Sequence, residues 1–268
     1  MNKKYGQLLN TSKETFNPNN HEALFQLPVE NEMILGIHHQ STTKDKLIIF
    51  CGGLNAQRCD LNRIGVRFSR EIAKRGISVV RFDYRGLGVS EGFSWDITIE
   101  SKIKDIKAII NYAINKLNYS EIYLLGFSDG ARNIVKLAND YNQVRGLILW
   151  NPALIYNQVK SGENKPVVDR KTKKVLWTVN GNYFSSEFYR SVQRNEAHIL
   201  DDWNLMNKPV LIIWGENDVT TITTRKNLKD KINNNVTQKI ILGGRHLFCR
   251  KDDHLSLIKE TYKWLKLR

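Results

Sequence analysis

The run Ile122-Tyr123-Leu124-Leu125-Gly126-Phe127-Ser128-Asp129-Gly130 decides how this chain folds. Four apolar residues lead directly into Gly-x-Ser-x-Gly, and a helix-like segment follows. A strand, a tight turn and a helix in that order predict a sharp elbow, in which the serine takes a strained backbone conformation and holds its hydroxyl above the end of a sheet. The glycines two residues to either side have a steric purpose, since a Cβ at either place would collide with the neighbouring strand and helix. A bare five-residue match can be an ordinary turn; the flanking strand and helix make this one a nucleophile site.

In an elbow of this kind the acid and then the histidine follow the serine along the chain. The apolar run Val210-Leu211-Ile212-Ile213-Trp214 leads into Gly215-Glu216-Asn217-Asp218, and Lys239-Ile240-Ile241-Leu242 ends in Gly243-Gly244-Arg245-His246. Each places a polar side chain at a strand's C-terminal end, on the same edge as the elbow. Ser128 is then expected to attack, His246 to take and return its proton, and Asp218 to fix the tautomer of His246 and stabilise its cation. Glu216 is the nearest rival acid; Asp218 is preferred because it lies further past the strand end, where the loop can turn towards His246. Attack on a carbonyl also requires N–H donors for the developing oxyanion. One is expected from the backbone of Asp129, with its carboxylate turned away. The other is expected from Cys51-Gly52-Gly53-Leu54, after the strand Leu47–Phe50, with Gly53 the first choice and Leu54 the second.

Together with Arg81-Phe82-Asp83-Tyr84-Arg85-Gly86-Leu87-Gly88-Val89-Ser90-Glu91-Gly92, these residues resemble the α/β-hydrolase superfamily, in particular its serine aminopeptidase-like, feruloyl esterase-like and monoglyceride lipase-like branches. The resemblance spans roughly residues 24 to 268. It implies a mostly parallel, doubly wound sheet of about eight strands with a helical cap inserted after the sixth. Two positions depart from the pattern: Cys51 stands where many relatives have a histidine, and Asp129 replaces the commoner Gln or Met. A narrower similarity, to hydrolases associated with exosortase systems, rests on Asp129 and on Gly52-Gly53 followed by Arg58 and Arg63. That group places a cysteine where this chain has Ser128.

The remaining sequence agrees with an α/β architecture. Strands are expected near 24–29, 33–39, 46–51, 77–82, 121–126, 144–150, 209–214 and 237–242, the first two antiparallel. Helices are expected near 60–75, 98–117, 129–141, 221–232 and 253–266. Residues 1–20 are polar and Asn-rich, which predicts a loose arm. The hydrolase core then comprises 21–152 and 207–268, and residues 153–206 form the cap. Trp177, Tyr183 and Phe184 are candidates to line a substrate pocket under it, although the duller reading places such aromatics in the cap's own small core.

Three cysteines with no metal-ligand spacing argue against a disulfide framework and a metal site. The adjacent His38 and His39 point to opposite faces of a strand and cannot easily share a metal. No apolar stretch resembles a signal peptide or reaches the length of a membrane span, so a cytoplasmic setting is the default expectation. The net charge of +14 invites a nucleic-acid reading, but the basic residues are dispersed and no binding motif is present. The densest basic run, Arg170-Lys171-Thr172-Lys173-Lys174, could draw an acyl group carried on coenzyme A or on an acidic carrier protein; a solvated loop is the alternative. The expected activity is hydrolysis of a small-molecule carboxylic ester or thioester without a cofactor. Acyl transfer or amide hydrolysis with the same residues are alternatives, and a non-catalytic binding protein is a third.

Overall fold

The computed structural model describes residues 22–43, 45–155, 165–179 and 181–268. The expected N-terminal arm lies outside the described residues. In chain order the strands are β1 (Glu22–Val29), β2 (Glu32–His39), β3 (Lys46–Cys51), β4 (Ser78–Phe82), β5 (Glu121–Phe127), β6 (Val144–Trp150), β7 (Val167–Val168), β8 (Val175–Val179), β9 (Asn182–Ser185), β10 (Val210–Gly215) and β11 (Val236–Ile241). The helices are α1 (Ile64–Ala73), α2 (Ile99–Asn115), α3 (Asp129–Val135), α4 (Ser186–Glu196), α5 (Ile199–Leu205), α6 (Ile222–Leu228) and α7 (Lys251–Lys266).

Eight strands form one sheet in the order β1-β2-β4-β3-β5-β6-β10-β11. The β1–β2 and β2–β4 pairs are antiparallel, and every other pair in this sheet is parallel. This is the α/β-hydrolase fold. Parallel strands must be covered on both faces, and their near-continuous apolar runs supply both at once because successive side chains alternate in direction. Leu47, Ile49, Ile122, Leu124, Leu147 and Leu149 join one core cluster with residues of α2 and α3, while Ile48, Phe50, Tyr123, Leu125, Ile148 and Trp150 join the other with residues of α1 and α7.

Local signals set the helix ends. Thr98 caps α2: its hydroxyl accepts from the Ser101 N–H at 3.0 Å, and the Ser101 hydroxyl accepts from the Thr98 N–H at 2.9 Å, the reciprocal pattern of a capping box. Helix α3 starts at the elbow and stops at Val135, earlier than its sequence pattern predicts. Leu137 and Ala138 donate back only three residues, tightening the chain into turns, and the Asn139 side chain is engaged with the Leu205 carbonyl.

The interval after β6 is helical in its second half, as α4 and α5. Before α4, the described residues form a separate antiparallel sheet in the order β7-β8-β9, a set of strands that the sequence reading did not anticipate. These strands are short and mostly half-buried, so they lack the continuous buried apolar runs that mark the main sheet. Asn55 of the loop after β3 donates to the Val179 carbonyl at 3.0 Å, and Asn182 donates to the Asn55 side-chain oxygen at 2.6 Å. The small sheet is thereby tied to the loop that follows β3.

Candidate active site

Ser128 joins β5 to α3 with φ 53° and ψ −118°, a conformation that L-residues rarely adopt. Its surroundings over-determine it. The Ser128 N–H donates to the Trp150 carbonyl at 2.9 Å, and the Ser128 carbonyl accepts from Ala153 at 3.0 Å and Ala131 at 3.2 Å. The two glycines work as the sequence reading requires. A Cβ on Gly126 would come within 2.6 Å of backbone atoms of Ala131 in α3, and one on Gly130 within 2.5 Å of the Cys51 and Gly52 carbonyl oxygens at the end of β3.

Chain segments more than a hundred residues apart meet at the Ser128 hydroxyl. His246 Nε2 lies 2.8 Å from Ser128 Oγ, and His246 Nδ1 lies 2.9 Å from Asp218 Oδ2. An ionised Asp218 can only accept, so Nδ1 carries the imidazole proton and Nε2 is left to accept from the serine. Asp218 is buried, which opposes its ionisation. Hydrogen bonds from His246, the Thr221 hydroxyl and the Thr220 N–H nonetheless hold its carboxyl below the ordinary range. Glu216, the rival acid, accepts from the Gly243 N–H at 2.7 Å and so braces the turn after β11.

The loop Gly52–Leu54 crosses the end of β3 beside the nucleophile, with the position of a Cβ on Gly53 lying 3.4 Å from Ser128 Cβ. The Gly52 carbonyl points at Gly130. In a trans peptide the next N–H points the opposite way, so the Gly53 N–H is directed away from α3. Among the described residues it makes no hydrogen bond with another backbone group. The Asp129 carboxylate meets Lys102 Nζ at 3.0 Å with both side chains fully buried. Cys51 is buried beneath this loop, and burial pushes its thiol well above the usual range. Asp83 accepts from the Arg58 guanidinium and from the Val89 N–H, while Arg85 donates to Asp105 and Glu30, which braces the loop after β4.

Of the aromatics in the interval after β6, Phe184 is wholly buried against Phe188, Trp177 is half-buried against Tyr189, and Tyr183 is exposed. Phe184 thus packs in the core rather than facing a cleft.

Two residues at the site have no counterpart in the sequence reading. Asn151, at the end of β6 with φ 41°, donates to the Arg245 carbonyl at 3.2 Å and the His246 carbonyl at 2.9 Å, and accepts from the Gly215 N–H at 2.6 Å. One side chain thereby joins the ends of β6 and β10 to the histidine loop. The Asn-Pro pair directly after an apolar run was the available signal. Asp60, before α1, has φ 54° and a side-chain oxygen that is buried with no hydrogen-bond partner among the described residues. Burial pushes its carboxyl up to about 7, against the Leu61 N–H and the positive charge His246 can carry. Nothing in its local sequence distinguishes it from a surface aspartate.

Residues 42–179 match the family described as serine aminopeptidase, S33, a stretch that contains Ser128 and ends before Asp218 and His246. No curated protein gives a match to the sequence. Among solved structures, Est1E from Butyrivibrio proteoclasticus with ferulic acid bound is similar over 90% of this chain and 97% of that one, at 18% identity and a TM-score of 0.74. The α/β hydrolase GrgF from Penicillium sp. sh18 is similar over 91% and 98%, at 16% identity and a TM-score of 0.73. The α/β hydrolase domain-containing protein 10 from mouse is similar over 91% and 99%, at 19% identity and a TM-score of 0.67. At these identities the likeness speaks to the fold.

Proposed function

The chain belongs to the serine aminopeptidase S33 family of α/β-hydrolases, and from that premise we propose that it cleaves a carboxylic ester or thioester through an acyl-enzyme on Ser128. The supporting observation is the unbroken relay from Ser128 Oγ through His246 to Asp218, mounted on a strained elbow. Ser128 attacks the acyl carbon while its proton passes to His246 Nε2, and Asp218 stabilises the imidazolium. The N–H groups of Asp129 and Gly53 receive the oxyanion, with that of Leu54 as the second choice for the loop donor. Collapse of the tetrahedral adduct expels the alcohol or thiol, which takes the proton from His246. Water then attacks the acyl-enzyme along the same path, releasing the carboxylic acid and restoring the serine hydroxyl.

An ester is the natural first substrate, because an alcohol or thiol leaves with less protonation than an amine. The ferulic acid held by Est1E, an aromatic carboxylic acid, supports the same choice. Residues 153–206 serve in this reading as the cap, supported by the bonds that tie β8 and β9 to Asn55. Within it Arg170, Lys171 and Lys173 are exposed, while Lys174 is paired with Asp96. An anionic thioester steered by this run would show a kcat/KM that falls as salt rises from about 0.02 to 0.3 M, since exposed charges are screened over ~8 Å near physiological ionic strength. A neutral ester would show no such slope, and equal slopes for both would return the run to a solvated loop.

The test of the whole reading is labelling with a fluorophosphonate followed by peptide mapping. Modification on Ser128 with loss of ester turnover is expected. Labelling elsewhere, or none on active protein, overturns it. Supplying alcohol and amine acceptors beside water in the same assay separates hydrolysis from acyl transfer.

A further inference from the structure

Lys102 occupies a position where a lysine is costly. It sits in the first turns of α2, fully buried, with its ammonium 5.0 Å from the centre of the Tyr84 ring. Taking an ammonium and a carboxylate out of water is unfavourable unless every donor finds an acceptor. Here each does: Nζ donates to the Leu54 carbonyl at 2.8 Å, to the Asp129 carboxylate at 3.0 Å and to the Gly53 carbonyl at 3.3 Å. The three donors of an ammonium are thereby all used.

The three acceptors are not scattered. Two are consecutive carbonyls of the loop beside the nucleophile, and the third belongs to the residue that follows Ser128. Gly52 and Gly53 let this loop lie close to Ser128, but two successive glycines also leave its backbone free to rotate. Fixing the carbonyls of Gly53 and Leu54 fixes the planes of the peptides that follow them, which carry the N–H groups of Leu54 and Asn55; the Gly53 N–H, on the peptide before, is held through the Gly53 Cα that the clamp anchors. The same ammonium ties those planes to the first residue of α3. The two sources of oxyanion N–H groups, one on the loop and one on the helix, are therefore registered to each other through one buried cation.

We infer that Lys102 is a positioning residue that locks the Gly53–Leu54 loop to Asp129 and holds the two halves of the oxyanion hole at their working separation. The catalytic consequence rests on the serine-hydrolase reading; the clamp on the loop does not. The pairing also accounts for Asp129: its carboxylate, unwelcome beside an oxyanion, is drawn away and neutralised beneath the site.

Replacing Lys102 alone strands a buried carboxylate, so the informative variants remove both charges together. In K102M/D129N the donor on α2 is lost, leaving only the amide introduced at position 129 on α3 and the Ala56 N–H within the loop itself, whereas K102Q/D129N removes the same charges and keeps a neutral N–H donor on α2. For K102M/D129N the expected result is a kcat lowered by about 10²-fold with little change in KM, the loss that follows when reacting groups are displaced by about an ångström. Hydrogen exchange of the peptide covering residues 52–57 should quicken by about tenfold as the loop opens locally. K102Q/D129N should recover part of both. Unchanged exchange in a folded K102M/D129N protein overturns the clamp, whatever the activity. Quicker exchange with wild-type kcat overturns the catalytic role, and equal behaviour of the two double variants assigns the pair to charge balance alone. If the wild type shows no turnover that depends on Ser128, it is the hydrolase reading that fails, and the exchange comparison still decides whether Lys102 holds the loop.

Discussion

The Ser128 hydroxyl has a hydrogen-bonded base and the base has a hydrogen-bonded acid, so the members of this relay act as a unit. In a serine-histidine-aspartate unit, removing the serine or the histidine costs on the order of 10⁶ in kcat and removing the aspartate roughly 10⁴. Ser128→Ala and His246→Ala are accordingly expected to look alike in ester turnover, with Asp218→Ala milder. Glu216→Gln, which touches only the turn after β11, is expected to cost far less; a loss equal to that of Asp218→Asn would reassign the acid. Asp60 adds a second expectation. Its carboxyl, pushed up to about 7 mainly by burial, interacts with the charge on His246. Once ionised, it favours the imidazolium. Asp60→Asn removes that preference, so the acid limb of kcat/KM should move to lower pH, and an unmoved limb in a folded variant would show that the two groups are not coupled.

Single elements present the groups, but the site depends on how their ends are joined. β5 ends at the nucleophile, β10 leads to the acid and β11 to the base; these strands are not all neighbours, since β6 lies between β5 and β10. Asn151 at the end of β6 closes this gap by binding Gly215 on one side and the carbonyls of Arg245 and His246 on the other. Each buried backbone group left without its partner costs about 1–3 kcal/mol. Asn151→Ala is therefore expected to lower the unfolding temperature by several degrees. It should also lower kcat more than it raises KM, because His246 loses its anchor. A normal kcat in a destabilised Asn151→Ala protein would make this residue a purely structural joint.

Across the whole molecule, net charge and buried histidine act together in acid. His39 in β2 accepts from Arg81 Nε at 2.7 Å, which a protonated Nε2 could not do. Burial first, and the Arg81 charge second, push its pKa down to about 3, against the pull of Glu22. An unfolded histidine titrates near ~6.5, so below that pH the unfolded chain gains a proton that the folded chain refuses. The stability His39 contributes is thus complete above about 6.5 and drains away as pH falls towards about 3. Added positive charge on a chain already at +14 works in the same direction. Asp60 and Asp105, pushed up to about 7 and about 6 by burial, act in the opposite sense, their contributions being lost as pH rises through those values. These shifts oppose one another between pH 7 and 4, so the His39 contribution is read as a difference: His39→Gln, which leaves both aspartates in place, should make the change in unfolding temperature from pH 7 to pH 4 more favourable than in the wild type, and an identical pH curve would remove His39 from the account.

What was legible in the sequence is what short-range physics controls. Apolar runs, four of them ending in glycine, announced the strands of the main sheet, and Gly126-Phe127-Ser128-Asp129-Gly130 announced the elbow, because a backbone that only glycine neighbours permit leaves its mark within five residues. The order of Ser128, Asp218 and His246 followed from where strands end. The short strands β7, β8 and β9 went unread because half-buried strands of two to five residues are too short to impose a pattern. Lys102, Asn151 and Asp60 went unread for a different reason. A lysine inside a helix, an asparagine before a proline and an aspartate before a helix are ordinary in one dimension. Only tertiary packing places Lys102 against two loop carbonyls, Asn151 between two strand ends and Asp60 near His246, because those partners lie 48 to 186 residues away along the chain.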